Sequence, residues 1–469
     1  MPRICGRMES TMKKEKVLKK KVLNKDLATD VVIVGTGVGG LFSALNLPGD
    51  RKIIMITKSD LESSDSFLAQ GGICVLRGED DYDSYFEDTM RAGHYENRKE
   101  SVDIMIRSSR EIIHDLIGYG VEFEKRENAA GENDEKDRKT GDPLLGEYAF
   151  TREGAHSKPR ILFHEDITGK EITSKLLAQV KKLENVSIYE YTTMTDIIEE
   201  NGRCCGIVAE NPEGKTIRIR ADYTILASGG IGGRYRHSTN FPHLTGDALD
   251  ISKRHGIRLE HLDYVQIHPT TLYSKKPGRR FLISESVRGE GAVLLDKNGN
   301  RFVNELLPRD VVTKAIQEQM EKDGTDFVWE DLRPLGERTL RTHFPNICQH
   351  CQEEGYDVLR GPIPVVPAQH YFMGGIRVDL SSRTAMPGLY ACGEISCNGV
   401  HGRNRLASNS LLESLVFAQR AADDILFGES PAFAGNAPDL APYREQEPLL
   451  AAYRKEVLNA IERMKKSHE

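Results

Sequence analysis

The sequence predicts an α/β protein, in which strands and helices alternate around a parallel sheet and a second domain is inserted into the first. Strand and helix signals alternate along residues 30–240, a pattern typical of parallel sheets covered by helices. Three short Gly-rich stretches, at residues 31–40, 224–230 and 388–394, each follow an apolar run of β-branched or aromatic residues. Gly-rich turns directly after buried strands are typical of nucleotide-binding sheets.

The first Gly-rich stretch has the spacing of a dinucleotide-binding turn. The apolar run at residues 31–34 predicts a buried parallel strand, and residues 41–47 are predicted to form a helix that Pro48 ends. Between them lies the motif G-x-G-x-x-G, formed by Gly35, Thr36, Gly37, Val38, Gly39 and Gly40. The glycines let backbone N–H groups approach a pyrophosphate, which predicts a Rossmann-like domain. Because such turns also serve packing alone, the assignment depends on the other two stretches.

The next strand leaves the choice of cofactor open. Residues 52–57 are predicted to form it, and a carboxylate normally follows such a strand to bind the ribose hydroxyls. This chain has Thr57 and Lys58 there, so Lys58 could bind a phosphate, as in an NADP enzyme, or lie in a solvated loop. The two further Gly-rich stretches favour FAD, because a flavin domain must also hold the ribitol chain and the ring, and small residues at strand ends allow that approach.

The composition is that of a globular protein with several domains. The chain has 469 residues, 39% of them hydrophobic and 29% charged, enough for two or three cores. Its formal net charge of −7 gives no reason to expect nucleic acid or an anionic membrane as a partner. No apolar run reaches the ~18 residues of a transmembrane helix, and the Lys-rich segment 13–25 lacks the apolar core of a secretory signal. We therefore expect a soluble protein in the cytoplasm.

We expect five segments along the chain. They are a flexible basic arm at 1–29, the first part of the FAD-binding domain at 30–242, an α+β capping and substrate domain at 243–367, the second part of the FAD-binding domain at 368–428, and a short C-terminal helical region at 429–469. The polar stretch 124–147 is expected to be a mobile surface excursion. Helices are predicted at 410–427 and 443–466.

The cysteines do not predict a metal site. The eight of them are scattered along the chain, too few for a disulfide scaffold. Cys348 and Cys351 form a C-x-x-C pair with His343 and His350 nearby, but no second C-x-x-C or H-x-x-x-H partner follows. We expect reduced thiols and no bound metal.

Several Arg and His residues lie in polar or Gly-rich turns rather than on helix faces. His268 stands beside a proline, Arg309 opens a predicted helix, and His370 and Arg405 lie near the resumed FAD-binding domain. Arg binds carboxylate oxygens in pairs, and His donates a hydrogen bond or changes charge near neutral pH. Taken singly, each residue is typical of a surface ion pair or a capped turn. Together, beside a flavin site, they indicate a dicarboxylate substrate.

These residues stand in motifs that resemble those of the fumarate reductase, succinate dehydrogenase and L-aspartate oxidase flavoproteins. The resemblance extends over residues 30–427 and rests on the motifs at residues 69–73, 268–270, 288–291, 308–310, 370–371 and 408–413. The chain departs from the family at Arg403, where a small residue is common, and in a shorter C-terminal helical region. These departures concern subunit contacts and closure over the substrate rather than the chemistry.

The resemblance implies which residues hold the cofactor. Asp65 stands where the membrane-bound succinate dehydrogenases carry the histidine that links their flavin, so a non-covalent FAD is implied. The implied FAD contacts are Gly35, Thr36, Gly37, Val38, Gly39, Gly40, Lys58, Asp65, Ser66, Ala69, Gln70, Gly71, Gly72, Thr193, Met194, Gly229, Asp247, Glu394, Ser410 and Leu411.

Within the family, the motifs at residues 151–157, 268–273 and 307–310 resemble the L-aspartate oxidase branch. Glu153 is implied to meet the substrate ammonium, which succinate lacks, and Arg309 is implied to transfer a proton. Whether Arg309 acts as a base or as an electrostatic clamp stays open, because a guanidinium rarely loses a proton unless neighbours such as Arg288 make a further positive charge costly. The implied substrate contacts are His268, Thr270, Ser284, Glu285, His370 and Arg405.

The implied reaction is the FAD-dependent oxidation of L-aspartate to iminoaspartate, with the flavin reoxidised by O2 or fumarate. This reaction begins NAD biosynthesis through quinolinate, so a functional link to quinolinate synthase is implied, and we expect a monomer or a homodimer. Two alternatives stay open. A soluble fumarate reductase would share the Arg and His residues but has no use for Glu153, and a non-catalytic flavoprotein would need none of the substrate-site residues.

Overall fold

The described part of the protein contains one large sheet and three small ones. The computed structural model describes residues 25–126, 142, 144–276, 278–427, 451 and 454–461. The strands are, in chain order, β1 Leu27–Val34, β2 Ile53–Ile56, β3 Ile73–Cys74, β4 Ile161–Leu162, β5 Val186–Tyr189, β6 Thr193–Glu200, β7 Arg203–Glu210, β8 Thr216–Leu226, β9 Leu259–Glu260, β10 Val265–Leu272, β11 Val293–Leu295, β12 Val328–Asp331, β13 Ile363–Phe372, β14 Gly375–Arg377, β15 Leu389–Ala391 and β16 Ser396–Cys397. The α-helices are α1 Val38–Asn46, α2 Asp65–Leu68, α3 Tyr82–Ala92, α4 Lys99–Gly118, α5 Thr168–Val180, α6 Asp247–Arg254, α7 Glu285–Gly289, α8 Arg309–Asp323, α9 Glu337–His343, α10 Pro345–Glu353 and α11 Asn409–Phe427. Short 3-10 helices lie at Glu79–Asp81, Leu145–Glu147, Gly232–Arg234, Arg333–Leu335 and Gly393–Ile395.

The large sheet has seven strands in the order β5-β2-β1-β8-β7-β6, with β15 as a further neighbour of β8. Strands β5, β2, β1, β8 and β15 run parallel, whereas β7 is antiparallel to both β8 and β6. β8 is long enough for two partners on one side, since its first half pairs with β7 and its second half with β15. The parallel strands with helices between them confirm the predicted α/β class.

Alternate residues of β1 enter two separate cores, one on each face of the sheet. Val31 and Ile33 belong to one cluster of buried residues, whereas Val32 and Val34 belong to another. Because successive side chains of a strand point to opposite faces, both faces of β1 are covered, as is usual in parallel sheets. This double burial explains the continuous apolar run in the sequence.

Helices α1 and α11 cover one face of the large sheet. α11 packs against α1 and α4, and its Leu415 and Ala418 share a core with Leu41 and Phe42 of α1. Burial of a leucine side chain stabilises a fold by roughly 1.5–3 kcal/mol. The packing holds the N-terminus of α1, and with it the Gly-rich turn, against the rest of the FAD-binding domain.

A four-stranded antiparallel sheet, β10-β13-β12-β11, carries the second domain, which we call the cap. Its own core includes Leu294, Ile316 and Ile347, from the sheet and from helices α8 and α10. α8 packs against β10. Arg309 at the start of α8 and His268 in β10 therefore belong to one packed unit.

The predicted domain limits and the packing differ at three places. Buried residues between 248 and 262, which the limit at 243 assigns to the cap, lie in a core of the large sheet. β13 continues beyond the limit at 367 as far as Phe372. β1 begins within the predicted arm because Leu27 pairs with Ile219 of β8. The domain limits stay predictions, and the packing moves the start of the cap toward Val265.

The remaining predicted elements fall partly outside the described residues. The described residues 454–461 of the predicted helix 443–466 are helical. The rest of that helix, residues 1–24 of the basic arm, and residues 127–141 and 143 of the predicted surface excursion lie outside the described part. None of the described helices is long and apolar enough to cross a membrane.

Candidate active site

A cavity that opens to solvent lies between the carboxyl ends of the parallel strands and the cap. Of the predicted contacts, Val38, Gly40 and Thr270 do not line it. The predicted FAD contacts that line it are Gly35, Thr36, Gly37, Gly39, Lys58, Asp65, Ser66, Ala69, Gln70, Gly71, Gly72, Thr193, Met194, Gly229, Asp247, Glu394, Ser410 and Leu411. The predicted substrate and catalytic residues that line it are Glu153, His268, Ser284, Glu285, Arg309, His370 and Arg405.

The Gly-rich turn leaves the N-terminus of α1 accessible to a phosphate. Gly35 has a φ of +115°, and a Cβ on it would lie 2.1 Å from the carbonyl oxygen of Ala227. A Cβ on Gly40 would lie equally close, at 2.1 Å, to the carbonyl oxygen of Gly35, so Gly40 serves the turn from behind. Gly37 begins α1 without a side-chain cap. The backbone N–H groups of the turn and the helix dipole therefore favour an anion there, which fits the pyrophosphate of FAD.

Gly35→Ala is expected to weaken FAD binding by at least tenfold. The added Cβ must displace the turn, and a loss of about 1.4 kcal/mol already corresponds to a factor of ten. The ratio of bound flavin to protein after purification measures the effect. Gly49→Ala is the matched control, since a Cβ on Gly49 meets no atom within 4 Å. A full flavin content in Gly35→Ala would contradict the assignment of the turn.

Lys58 is paired within the protein. Its Nζ donates hydrogen bonds to Asp247 Oδ2 at 2.5 Å and to Thr245 Oγ1 at 3.1 Å. The hydroxyl of Thr245 also donates to Asp247 Oδ1 at 2.7 Å. Asp247 compensates the charge of Lys58 and its carboxylate would repel the extra phosphate of NADP, so the arrangement favours FAD over NADP.

Two buried carboxyl groups line the cavity, one of them at the position where a covalent flavin link would need a histidine. Asp65 accepts the N–H of Phe241 at 3.0 Å, and burial raises its pKa to about 7. Glu394 accepts the N–H of Phe372 at 2.9 Å; burial, followed by repulsion from Asp65, holds its pKa well above the ordinary value. A carboxyl group at position 65 cannot form the histidyl link of the family, which supports the prediction of a non-covalent FAD.

Arg309 is fixed by hydrogen bonds on two sides. Its Nε donates to Glu285 Oε2 at 2.5 Å, and its Nη1 donates to Gln266 Oε1 at 2.9 Å. All three side chains are buried. The guanidinium therefore has a single orientation in which it lines the cavity.

Glu285 lies between two guanidinium groups. Arg309 contacts its Oε2, and Arg288 Nη2 lies 3.8 Å from the same oxygen. Burial opposes the ionisation of Glu285, but the two arginines outweigh burial and hold its pKa below the ordinary value. Glu285 is therefore a carboxylate, and it compensates the charge of Arg309 within the cavity wall.

His268 presents a neutral imidazole to the cavity. Its Nδ1 lies 3.1 Å from the Thr270 nitrogen and 3.0 Å from the Thr270 carbonyl oxygen, which leaves Nε2 as the ring nitrogen available to a ligand. That Nε2 is buried and has no hydrogen-bond partner among the described residues. Burial, followed by repulsion from Arg309 and His370, holds the pKa of His268 well below its ordinary value. Thr270 does not line the cavity, but its backbone contacts the imidazole of His268.

A register shift in β10 accompanies this orientation of His268. The pairing of β10 with β13 shifts between His268 and Thr271, where Pro269 cannot donate to the ladder. On β13, the His370 ring centroid lies 5.1 Å from that of His268. His370 Nδ1 lies 2.8 Å from Thr239 Oγ1. The two imidazoles therefore line one end of the cavity together.

Arg405 is a buried cation with an unused donor. Its Nη1 donates to Ser410 Oγ at 3.1 Å, and its guanidinium carbon lies 4.8 Å from the centroid of the Tyr371 ring. Its buried Nε has no hydrogen-bond partner in the described part of the chain. Burial, followed by repulsion from Arg309, lowers the pKa of Arg405 to about 10, so it stays charged at neutral pH. A substrate carboxylate would supply the missing partner.

Glu153 is held by two serine hydroxyls. Ser286 Oγ donates to its Oε1 at 2.8 Å, and Ser408 Oγ donates to its Oε2 at 2.5 Å. Burial, followed by repulsion from Glu285, raises the pKa of Glu153 above its ordinary value. A Cβ on Gly71 would lie 2.7 Å from Glu153 Oε1, so the glycine leaves room for the carboxyl. A bound cation would favour the ionised form of Glu153, which suits this side chain to a substrate ammonium.

The site also includes side chains outside the predicted set. Gln266 connects Arg309 to Asn404 of the FAD-binding domain, to whose Oδ1 it donates at 2.8 Å. Ser286 and Ser408 hold Glu153 in place. These four residues lie in or beside the predicted motifs. A polar residue type does not by itself predict which site residue it contacts.

Glu330 is a fully buried carboxyl in β12, without a hydrogen-bond partner among the described residues. Burial raises its pKa from about 4.5 to about 8, although Arg288 opposes the shift. The folded state therefore binds this proton more tightly than the unfolded state does. The resulting cost to folding is absent at pH values below the pKa of Glu330 in the unfolded state. It grows as the pH rises toward the pKa of Glu330 in the folded state and is complete above that value.

Glu330→Gln is expected to be more stable than the native protein at about pH 9, by up to about 4 kcal/mol, and equally stable at about pH 5. Urea midpoints at the two pH values measure the difference. Glu337→Gln, on the exposed side of α9, is the control. Equal pH profiles for Glu330→Gln and the native protein would contradict the account of Glu330.

The C-x-x-C pair lies on helix α10. Cys348 Sγ donates to the carbonyl oxygen of Leu340 at 3.4 Å, and Cys351 is buried in the core of the cap. In the part of the chain that the structure describes, no group of three or more His, Cys, Asp or Glu side chains is placed to hold a metal ion.

Comparison with known proteins gives the family. Residues 30–411 match a family model described as FAD binding domain. An L-aspartate oxidase of Clostridium perfringens is 49% identical over 397 residues, which cover 84% of this chain and 86% of that protein. An L-aspartate oxidase of Clostridium acetobutylicum is 46% identical over 402 residues, which cover 85% and 88%. This chain belongs to the L-aspartate oxidase family. The match to the FAD model, together with these relatives, gives FAD as the cofactor.

Solved structures show the same fold. A variant of the E. coli quinol fumarate reductase superimposes with a TM-score of 0.79 at 30% identity, covering 93% of this chain and 75% of that chain. A flavocytochrome c3 fumarate reductase, solved in an open conformation, has a TM-score of 0.65 at 22% identity. These similarities confirm the predicted fold, a Rossmann-like FAD-binding domain with an inserted cap.

Proposed function

We propose that this chain oxidises L-aspartate to iminoaspartate with bound FAD as the oxidant. The observation that carries the proposal is that Glu153, a buried carboxyl, lines the same cavity as Arg309 and Arg405. A substrate with two carboxylates and one ammonium matches these charges, whereas succinate leaves Glu153 without a cation. The similarity to L-aspartate oxidases of two Clostridium species supports the proposal.

The cationic and imidazole side chains are proposed to bind the two carboxylates. Arg405 offers its unused Nε, and His268 offers its unpaired Nε2. Burial, followed by repulsion from Arg309 and Arg405, holds the pKa of His370 well below its ordinary value. Neutral imidazoles donate hydrogen bonds without adding positive charge beside the two arginines. Ser284 lines the cavity next to them and adds a hydroxyl.

Glu153 is proposed to orient the substrate amino group. Its two serine contacts fix both oxygens, so an ammonium can approach in a limited range of directions. A hydrogen bond between charged groups in a buried site contributes about 1.5–3 kcal/mol. Glu153 therefore selects L-aspartate over succinate by charge.

Arg309 is proposed to take part in the transfer of the proton that leaves the substrate. FAD, when bound, supplies the oxidising chemistry by accepting a hydride from the substrate carbon. To accept the substrate proton, Arg309 must first give its Nε proton to Glu285 Oε2, 2.5 Å away, and Arg288 Nη2 lies 3.8 Å from the same oxygen. The same pairing holds Arg309 as an electrostatic clamp. Both roles require the guanidinium in this position.

The cap is proposed to exclude water during the reaction. The two connections between the domains run side by side, since the N–H of Met373 donates to the carbonyl oxygen of Tyr264 at 2.9 Å. We propose that the cap turns where β10 begins and β13 ends, near Val265 and Phe372, because buried residues between 248 and 262 pack in a core of the large sheet. Identical solution scattering with and without a bound dicarboxylate would count against the motion.

A soluble fumarate reductase is the second candidate, supported by the structural similarity to the E. coli quinol fumarate reductase. Fumarate carries two carboxylates on a four-carbon chain, as aspartate does. We therefore propose that fumarate or O2 reoxidises the flavin. A non-catalytic flavoprotein is disfavoured, because buried charges such as Arg309 and Glu285 are costly to a fold that makes no use of them.

The product is proposed to pass to quinolinate synthase, as the first step of NAD biosynthesis. Imines hydrolyse in water, which favours a partner enzyme that consumes iminoaspartate quickly. We place the enzyme in the cytoplasm, since buried free thiols such as Cys74 and Cys392 are typical of reducing compartments. A monomer or a homodimer is proposed as the working state.

Dye reduction tests the proposal. With an artificial electron acceptor under anaerobic conditions, L-aspartate is expected to reduce the dye and to release ammonia as the imine hydrolyses. Oxidation of a reduced dye by fumarate, without dye reduction by L-aspartate, would instead support the fumarate reductase.

A further inference from the structure

A polar network joins the cap to the FAD-binding domain around Arg309. Gln266 accepts from Arg309 at 2.9 Å and donates to Asn404 of the FAD-binding domain at 2.8 Å. Asn404 Nδ2 in turn donates to Asp310 Oδ1 at 3.2 Å. The other carboxylate oxygen of Asp310 lies 3.0 Å from Nε2 of His94, which also belongs to the FAD-binding domain. These contacts between the domains connect to Arg309 or to Asp310, the next residue in the chain.

The loop of His94 is fixed to the segment that carries Asn404. His94 and Tyr95 have φ angles of 58° and 60°, left-handed conformations that persist in such residues where the surroundings hold them. The N–H of Arg403 donates to the carbonyl oxygen of Gly93 at 3.1 Å. A Cβ on Gly402 would lie 2.4 Å from that oxygen, so the two segments are in close contact. His94 and Asn404 therefore lie close together on the part of the FAD-binding domain that contacts the cap.

We propose that His94 is a positioning residue of the reaction: through Asp310 it fixes the first turn of α8, and so sets Arg309 against the substrate when the cap is closed. This inference rests on the proposed function and concerns the same site. His94 does not line the cavity, so its effect on the reaction passes through Asp310.

The position of Asp310 explains why it needs a partner in the other domain. Its carboxylate lies in the first turn of α8, where the helix dipole favours it, but its side chain is 41% exposed. Without His94 the carboxylate keeps the hydrogen bond from Asn404 but loses the contact that holds its other oxygen. An exposed ion pair contributes little to stability, whereas a displacement of about 1 Å in a catalytic group slows a reaction by up to ~100-fold. Loss of His94 should therefore affect the rate rather than the folding.

His94→Asn tests the proposal, because asparagine tolerates the left-handed backbone but is too short to reach Asp310. We expect the limiting rate of flavin reduction by L-aspartate to fall about tenfold, with FAD content and thermal midpoint unchanged. The double variant with Asp310→Ala should be no slower than Asp310→Ala alone, since both changes remove the same contact. A rate within about twofold of native, or additive losses in the double variant, would overturn the proposal.

His114→Asn is the matched control. His114 Nε2 lies 2.7 Å from Asp142 Oδ2, and its side chain is 47% exposed, close to the 46% of His94. This pair lies within the FAD-binding domain, so the control should reduce the flavin at the native rate. A loss equal to that of His94→Asn would show a general surface effect and overturn the proposal.

A second readout separates this inference from the proposed function. Trp329, the single tryptophan of the chain, lies on β12 of the cap, so energy transfer from it to the flavin reports the position of the cap. We expect malonate, a dicarboxylate that is not oxidised, to change Trp329 emission in the native holoenzyme and to change it less in His94→Asn. An equal change in both proteins would overturn the role of His94, even if L-aspartate proved not to be the substrate.

Discussion

Replacing Arg309 with leucine is expected to lower the limiting rate of flavin reduction by L-aspartate by about 10³–10⁴-fold. The guanidinium lines the cavity and is held by Glu285 and Gln266 at 2.5 and 2.9 Å, so it is oriented before the substrate arrives. As a proton-transfer group or as a clamp, it acts on charge that develops in the transition state. Anaerobic stopped-flow absorbance of the flavin measures the rate directly.

Two further variants define what the loss of Arg309 means. Arg341→Leu, at an exposed position on α9 of the cap, is the matched control and should reduce at the native rate. Arg309→Lys keeps a positive charge but loses the paired contact with Glu285 and Gln266, and it should remain at least about tenfold slower than the native enzyme. Near-native reduction in Arg309→Leu would show that the assignment of Arg309 is wrong.

Glu153→Gln is expected to reverse the preference between aspartate and succinate. Removing the carboxylate takes away the partner of the substrate ammonium, which costs about 1.5–3 kcal/mol, or roughly 10- to 150-fold in kcat/KM for L-aspartate. Succinate gains at the same time, because it has no ammonium to compensate a buried negative charge. The ratio of kcat/KM for the two substrates, measured with one dye acceptor, reports the change.

The control for Glu153 removes a carboxylate of the same type from the surface. Glu122 has a side chain 77% exposed, so Glu122→Gln should keep the native preference. Glutamine at position 153 can still accept from Ser286 or Ser408, which limits structural disturbance. An unchanged aspartate-to-succinate ratio in Glu153→Gln would contradict the role of Glu153 as the selecting residue.

The large sheet could be predicted from the sequence because its signals are local. The run Val31 to Val34 is apolar since both faces of β1 are buried, and the turn that follows needs glycine for steric reasons visible in the spacing. By contrast, the second pairing of β8 with β15 joins Thr224 to Leu389. Contacts between segments so distant in the chain leave no local pattern.

The candidate site was predictable as a set of residues but not as an arrangement. His268 and Arg309 stand in recognisable motifs, yet the neutral state of His268 depends on burial and on the nearby Arg309. Thr270, predicted to touch the substrate, does not line the cavity. Contacts such as that of Asn404 with Asp310 form only when the cap meets the FAD-binding domain, so the sequence carries no sign of them.

Anaerobic mixing of the holoenzyme with L-aspartate tests the central claim most directly, with the visible absorption of oxidised flavin as the readout and D-aspartate and succinate as controls. The account predicts that L-aspartate bleaches the flavin, that D-aspartate does not, and that succinate is a much poorer reductant. Absence of bleaching by L-aspartate, together with reoxidation of the reduced enzyme by fumarate, would contradict the account and leave a fumarate reductase.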